Sequence, residues 1–458
     1  MMPVGTTLSR WTMSYFGAAL SYLLLAECLL AAGVWTPSHD VAEPGALAIV
    51  HAVTLGWLLL LMIGSLLQFA PVLTGSDRPA SRFDLIIFTG MLTGPALLML
   101  GFHLISLGSP AAGLIMTAAS VTLSLSIAAS SVSLSALLWR GRRVHAASPI
   151  VLVGIGCLLV TIAFGALFAL TVSGLVEAPA LIAYGIDAVG FHASFGLGGW
   201  MTFAAIGVSY KLLPMFLLSS DMRKAQLIRR WGTLAVALLS AAAIGTALAP
   251  DLARAAFLSA AVLFALVVAF YLFEIYATYR ARRRPALELN TLGSLPAFAM
   301  LGLSVVLLAA SLFLHAETRS VSAITYLFVF GWLSGFGLAQ LLKIVPFLTW
   351  IEAFGPLLGR RPTPKLSSLV NGRRARTWLG LFYLAVVAAA IALYLGSDAG
   401  FRMAAAVQTA STLALVIELV LARMLANVGP QIKTAPFHKP ALFVAAKNHR
   451  GNANGSVP

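Results

Sequence analysis

Residues 51–75 read "HAVTLGWLLLLMIGSLLQFAPVLTG", an apolar run long enough to cross a bilayer, with a histidine at its start. A Gly-Trp pair lies near the beginning of this run, and a proline follows fourteen residues after the tryptophan. Two later apolar runs repeat this arrangement at the same spacing, which indicates an internal repeat. The three sets are Gly56-Trp57 with Pro71, Gly199-Trp200 with Pro214, and Gly331-Trp332 with Pro346.

Two further positions match in the three runs. The seventh residue after the tryptophan is always small, and the eleventh is always long and polar. The intervals between the tryptophans each correspond to about four apolar spans. We therefore predict a membrane domain over residues 1–426 built from three pseudosymmetric four-helix units, at about 13–138, 150–277 and 293–425. The small residues are Gly64, Gly207 and Ala339, and the polar ones are Gln68, Lys211 and Lys343.

Composition gives the fold class. The chain of 458 residues is 60% hydrophobic and 10% charged, with a mean hydropathy of +0.94, which excludes a soluble globular domain of this length. We predict an all-α, polytopic membrane protein whose partner is the lipid bilayer. Its twelve predicted spans are 13–34, 47–72, 84–106, 112–138, 150–173, 187–217, 231–249, 255–277, 293–314, 321–350, 378–396 and 400–425.

The net charge of +15 is concentrated in alternate loops, those that follow the even-numbered spans. By the positive-inside rule this distribution predicts that both termini are cytoplasmic, and it favours membrane orientation over nucleic-acid binding. We expect a bacterial inner-membrane protein without a cleavable signal peptide. Residues 427–458 are predicted to form a flexible cytoplasmic tail. Cys28 and Cys157 lie inside predicted spans and indicate neither a disulfide nor a zinc site.

Histidines inside the apolar spans are the main candidates for a functional site. A histidine in hydrocarbon is costly, so it either serves a function or makes a hydrogen bond between helices. We predict that His51 and His192 are metal or haem ligands, and that His103, at the same depth in the third span, is a weaker candidate. His315 lies at the membrane interface, where water satisfies it. Histidines without carboxylates or thiolates suit haem first and copper second.

The repeat, the twelve spans and the histidine positions together resemble subunit I of the haem–copper oxidase and nitric oxide reductase superfamily. In that family the second, sixth and tenth spans carry the metal ligands, and His51 occupies the place of the low-spin haem ligand. The sequence "FHASFGLGGW" is similar to the family pattern HxHxGxxGW, with His192 at the first histidine position and Ser194 at the second. Span ten has Ile324 and Tyr326 instead of histidines, and span seven has none.

The resemblance therefore implies a haem-binding protein without a standard oxygen-reducing centre. A weaker resemblance is to the NnrS-like membrane haem–copper proteins linked to nitric oxide stress. Both imply a redox, electron-transfer or nitric-oxide-related role, served by an electron-donor protein or a quinol. Whether the chain is itself an oxidoreductase stays open at this point.

Polar groups within the spans leave other functions open. Glu27, Lys211, Tyr210, Lys343 and Glu418 are candidates for a proton path. All of these except Tyr210 would also serve a proton-coupled transporter. The alternative is local pairing near the membrane surface, of Glu274 with Arg280 and of Glu418 with Arg423. Besides a haem protein and a transporter, the chain is compatible with a cofactor-free assembly factor in which the histidines are only hydrogen-bonded.

Overall fold

The computed structural model describes residues 9–37, 39–76, 81–143, 145–314, 318–429 and 440–443. These residues form helices joined by short loops, and twelve of the helices are long and apolar enough to cross a membrane. The predicted all-α, multi-pass fold class is confirmed. The helices are α1 Thr12–Ala32, α2 Pro44–Thr74, α3 Asp84–Ser106, α4 Ala112–Arg140, α5 Ala147–Val172, α6 Pro179–Leu217, α7 Ala225–Gly245, α8 Pro250–Arg280, α9 Leu289–Ser311, α10 Arg319–Leu357, α11 Gly372–Tyr394 and α12 Asp398–Arg423.

Three of the helices that begin earlier than hydropathy alone predicts begin at a proline. Pro44, Pro179 and Pro250 are the first residues of α2, α6 and α8. Proline is favoured there because its fixed φ suits a helix and the first turn needs no amide hydrogen. α2 ends at Gly75, whose φ of +64° is the left-handed conformation that a side chain disfavours.

The helices pack in chain order and form a closed ring. α1 packs along α2, and α3 with α4, α7 with α8 and α11 with α12 form tight antiparallel pairs. α4 packs against α5, α8 against α9, and α12 returns to α1, which closes the ring. Trp57 of α2, Trp200 of α6 and Trp332 of α10 are fully buried inside it. The division into three four-helix units stays a prediction, to which the structure adds three recurring local features.

The first recurring feature is a π-helical segment of eight residues around each Gly-Trp pair. The segments are Ala52–Leu59 in α2, Ser194–Met201 in α6 and Leu327–Ser334 in α10. A π-helix bonds to the fifth preceding residue and leaves some carbonyls poorly paired. The hydroxyl of Thr202 donates to the carbonyl of Leu197, five residues before it, at 2.7 Å.

Ser334 repeats this contact in α10, where its hydroxyl donates to the carbonyl of Val329 at 2.9 Å. Ser334 also accepts a hydrogen bond from the indole of Trp57 at 2.9 Å, which joins α10 to α2. Segments of this kind are frequent at functional sites, and those of α2 and α6 begin just after the candidate histidines His51 and His192.

The second recurring feature is the close approach of each Gly-Trp glycine to the preceding helix. A Cβ atom on Gly56 would lie 2.3 Å from Tyr22 of α1, and one on Gly199 would lie 2.6 Å from Cys157 of α5. These distances exclude any side chain without movement of the neighbour. The equivalent distance is 2.3 Å from Gly331 to Met300 of α9.

The residue seven positions after each tryptophan is small for the same reason, the close approach of the preceding helix. A Cβ atom on Gly64 would lie 2.6 Å from Tyr15 of α1, and one on Gly207 would lie 2.5 Å from Val151 of α5. Ala339 of α10 faces the backbone of α9. In helices that lipid surrounds, small residues of this kind allow the close contact that drives association.

The third recurring feature explains the polar residue eleven positions after each tryptophan. Gln68 accepts a hydrogen bond from the backbone N–H of Ser9, just before α1, at 2.9 Å. Lys343 pairs with Glu288, the residue before α9, at 2.7 Å. Lys211 acts on His145, just before α5: burial lowers the pKa of His145, and the charge of Lys211 lowers it further. Gln68 and Lys343 therefore contact the start of the helix that their own helix packs against, and the charge of Lys211 acts on the equivalent position.

We expect Gly56→Ala to destabilise the protein, because the added methyl group meets the ring of Tyr22. The expected loss is about 1–3 kcal/mol, the usual cost of overpacking a core. Thermal unfolding in detergent, followed by size-exclusion chromatography of the heated sample, measures it.

Gly190→Ala in α6 is the matched control, since a Cβ atom there has open space around it. This substitution should leave the unfolding temperature unchanged or raise it, because alanine is the better helix former. Equal unfolding temperatures for Gly56→Ala and the parent protein would contradict the close contact.

Candidate functional site

The two leading candidates, His51 and His192, lie side by side although they come from different helices. His51 is the last α-helical residue before the π segment of α2, and His192 lies two residues before the π segment of α6. Their ring centroids are 6.4 Å apart, and the ring planes differ by 36°. α2 and α6 pack along their C-terminal halves, whereas their N-terminal halves meet at this pair. We call this end of the bundle the histidine end.

Both imidazoles are oriented by backbone carbonyls. Nδ1 of His51 lies 2.7 Å from the carbonyl oxygen of Leu47, and Nδ1 of His192 lies 3.1 Å from that of Thr161 in α5. Because a carbonyl only accepts, Nδ1 is the donor and carries the hydrogen in each ring, which leaves the lone pair on Nε2. Within the described part of the chain, neither Nε2 has a protein hydrogen-bond partner. Metal-binding histidines typically show this arrangement.

The separation of the rings is compatible with two ligands of a single metal ion. Bonds from a metal to imidazole nitrogen are about 2.0–2.1 Å long, so imidazoles on opposite sides of one ion have centroids about 6 Å apart. The observed 6.4 Å agrees with this value. Among the described residues, no group of three or more histidine, cysteine or acidic side chains is placed to hold a metal. The pair thus offers two nitrogen ligands.

The surroundings of the pair are apolar. Phe102 of α3 lies beside His51, with ring centroids 5.5 Å apart, and Phe168 of α5 meets His192 edge-on at 5.4 Å. Gly165 faces His192, and a Cβ atom on it would lie 3.4 Å from Cε1 of the imidazole. An apolar shell limits access of water and favours neutral imidazole.

The weaker candidate, His103, is not brought to this pair. Its side chain is exposed on α3, and the preceding Phe102 is the residue that packs against His51. His103 as a ligand stays a prediction, and His315 lies outside the described residues. In α10, Tyr326 takes the position that His51 has in α2, six residues before the tryptophan.

A buried hydrogen-bonded chain connects α10, α12 and α1. The hydroxyl of Tyr326 donates to Oε1 of Gln408 at 2.8 Å, and the amide of Gln408 donates to Oε1 of Glu27 at 2.8 Å. All three side chains are buried, and Oε2 of Glu27 has no hydrogen-bond partner among the described residues. The sequence analysis missed Gln408, whose signal is a lone amide within the apolar run of α12.

The other polar candidates lie toward the opposite end of the bundle. The loops after the even-numbered helices form this end, and we call it the arginine-rich end. The two acids there are both paired. Glu418 pairs with Arg374 of α11 at 2.6 Å. Glu274 accepts hydrogen bonds from the backbone N–H groups of Arg223 and Lys224 at 2.7 and 3.0 Å, and thereby caps the start of α7. Local pairing is therefore present, but with partners other than those named in the sequence analysis.

Arg423, which we had considered as the partner of Glu418, instead pairs with Glu352 of α10 at 2.6 Å. Arg280, the residue considered for Glu274, ends α8, two turns beyond it. A carboxylate at a helix start is stabilised by the free amide groups there, which explains why Glu274 turns to α7.

The five residues of the predicted proton path occupy two separate regions. Glu27 contacts Gln408, and Glu418 lies ten residues farther along α12, or about 15 Å. Tyr210 stacks on Tyr271 with ring centroids 6.4 Å apart, in the interior near the arginine-rich end. A continuous path through these groups stays a prediction.

No protein-family model matches this chain, and no curated protein matches it at a significant level. The resemblance to the haem–copper superfamily accordingly stays a prediction. The geometry of the histidine pair is the observation from which a function is inferred.

We expect Gln408→Ala to destabilise the bundle, because it removes the hydrogen-bond partner of both Glu27 and Tyr326. Leaving a buried polar group unpaired costs about 1–3 kcal/mol. Glu27→Gln is the matched control, since an amide keeps a hydrogen bond to Gln408. Detergent unfolding of both variants measures the difference, and equal losses would contradict the central place of Gln408 in this chain.

Proposed function

We propose that this chain is a haem-binding integral membrane protein in which His51 and His192 would together hold one haem. The observation that carries the proposal is the pair itself: two imidazoles 6.4 Å apart, each held by a carbonyl at Nδ1, with Nε2 unengaged. We further propose that the arginine-rich end faces the cytoplasm of a bacterial cell, with both termini on that side.

The donor set fits haem better than a bare metal ion. The two neutral imidazoles of His51 and His192 would hold a haem, which needs no further protein ligand. A protein-bound copper or zinc ion in a stable site usually has three or more protein ligands, and the described residues offer no third one here. Two-coordinate copper is the second choice.

Electron transfer is the role that the pair supports best. When bound, haem would supply a one-electron couple, and both His51 and His192 would be engaged in holding it. Phe102 and Phe168 exclude water from the site, and the carbonyls of Leu47 and Thr161 keep both imidazoles in the ligating tautomer.

The transporter alternative receives less support from the geometry. Coupling groups must exchange partners during transport, yet Lys343 is held by Glu288 and Glu418 by Arg374. Pro71, Pro214 and Pro346 lie within helices and do not break them at the middle of the membrane. The assembly-factor alternative accounts for the hydrogen bonds of the two histidines to carbonyls but gives no role to their closeness.

The first test is an absorption spectrum of the purified protein, oxidised and reduced, with a haem assay on the same sample. We expect about one haem per chain with a six-coordinate, low-spin spectrum. His51→Ala and His192→Ala should each convert it to a five-coordinate, high-spin spectrum, and the double variant should lose the haem.

His103→Ala is the matched control, since this exposed histidine lies on the neighbouring helix. We expect it to keep the parent spectrum. A double variant of His51 and His192 that folds and keeps six-coordinate haem would refute the assignment. A parent protein that contains no haem after expression with adequate haem supply would refute the proposed function.

A further inference from the structure

Glu27 is a buried carboxyl group that the proposed function does not use. Its side chain lies inside the bundle, and no arginine, lysine or histidine among the described residues forms an ion pair with it. Two other glutamates of the interior, Glu418 and Glu352, pair with Arg374 and Arg423. An unpaired negative charge within the bilayer is very costly, so Glu27 must bind either a proton or another cation.

One oxygen of this carboxyl group has a protein partner and the other has none. Oε1 accepts the 2.8 Å hydrogen bond from the amide of Gln408, whose own oxygen accepts from the hydroxyl of Tyr326. The amide therefore fixes the position of the carboxyl group. Oε2 is buried and has no hydrogen-bond partner in the described part of the chain. A bound cation would contact this atom.

A second unpaired oxygen belongs to Thr412, close to the carboxyl group of Glu27. Thr412 is fully buried and lies one turn after Gln408 on the same face of α12. Hydroxyl groups in helices often donate to the carbonyl four residues earlier, as those of Thr409 and Ser411 do. The hydroxyl of Thr412 makes no such bond and has no other partner among the described residues. Two neighbouring helices thus bring two unsatisfied oxygens together.

The two oxygens suit a monovalent metal ion. Carboxylate and hydroxyl oxygens are hard ligands, which favour alkali and alkaline-earth ions over copper or zinc. The site supplies one negative charge, and no second acid or histidine joins it within the described ranges. A divalent ion would therefore leave a net charge inside the protein. A proton would form a hydrogen bond from Oε2 of Glu27 to Oγ1 of Thr412, and these two atoms are not hydrogen-bonded.

A cavity of about 550 Å³ approaches this region from the histidine end, under the loop that joins α1 to α2. Leu30, which lies one turn after Glu27 in α1, and Tyr326 are among its lining residues. His39 and Asp40 of the loop also line it, and its described lining contains no arginine or lysine. A carboxylate at the loop attracts cations, and a cation that enters beneath the loop comes within one turn of Glu27.

We propose that Glu27 and Thr412 bind Na⁺ between α1 and α12. Oε2 of Glu27 and Oγ1 of Thr412 are the protein ligands, and water completes the coordination. Gln408 positions the carboxylate, and Tyr326 orients the amide of Gln408. Because α1 and α12 are the first and last helices of the ring, the ion joins its two ends. The proposal does not depend on haem.

The test is thermal unfolding of the detergent-purified protein in NaCl, with choline chloride as the replacement salt at constant ionic strength and pH. A ligand that binds only the folded state stabilises it. The parent protein should therefore unfold about 3 °C higher when NaCl is about 100-fold above its dissociation constant. Glu27→Gln should abolish this difference, because the amide keeps the hydrogen bond to Gln408 but carries no charge.

Thr412→Val tests the second ligand, since it removes the hydroxyl group and keeps the shape of the side chain. We expect it to need about tenfold more NaCl for the same rise in unfolding temperature. Thr409→Val is the matched control on the same helix. The hydroxyl of Thr409 is bonded to the carbonyl of Ala405, so this variant should respond to NaCl like the parent.

Equal unfolding temperatures of the parent in NaCl and in choline chloride would overturn the proposal and would show that Glu27 holds a proton. A sodium effect that persists in Glu27→Gln would place the ion elsewhere and equally refute this site. Equal responses of Thr412→Val and the parent would exclude Thr412 as a ligand. Greater stabilisation by CaCl₂ at the same ionic strength would contradict the assignment to a monovalent ion.

Discussion

The structure depends on how closely α2, α6 and α10 approach the helices that precede them. Lipid is as apolar as a leucine side chain, so burial from water does not hold membrane helices together, and close packing must do so. Gly56, Gly199 and Gly331 provide it, because any side chain there would overlap the neighbouring helix. This approach buries the three adjacent tryptophans and determines the depth at which the residues before them, including His51, lie within the bundle.

The sequence predicts most of the fold and the two histidines of the candidate site. Apolar length locates twelve spans, and the repeated spacing around Trp57 identifies the three special helices. The sequence also identifies His51 and His192 as candidates, because a histidine within an apolar run is costly. It does not predict that they meet, since the relative rotation of α2 and α6 depends on their packing and on the π segments. Gln408 was missed because a single amide on a helix does not reveal its partner.

The internal repeat lets one scaffold carry two kinds of chemistry at equivalent places. His51 in α2 and Tyr326 in α10 occupy the same position relative to their tryptophans. The imidazole lies beside a second histidine, whereas the phenol enters a hydrogen-bonded chain. Since the backbones are alike, the difference in role comes from the side chains and from which helix stands opposite.

The hydrogen bond between Glu27 and Gln408 joins residues that are 381 positions apart in the chain. At typical rates of synthesis, the ribosome needs roughly 20 to 75 s to reach the second residue after it has made the first. During that time α1 stands in the bilayer with its carboxyl group unpaired, and its flank is open where α12 will later dock. The ring therefore stays incomplete until the last helix has been made, and its closure is a late step of biogenesis.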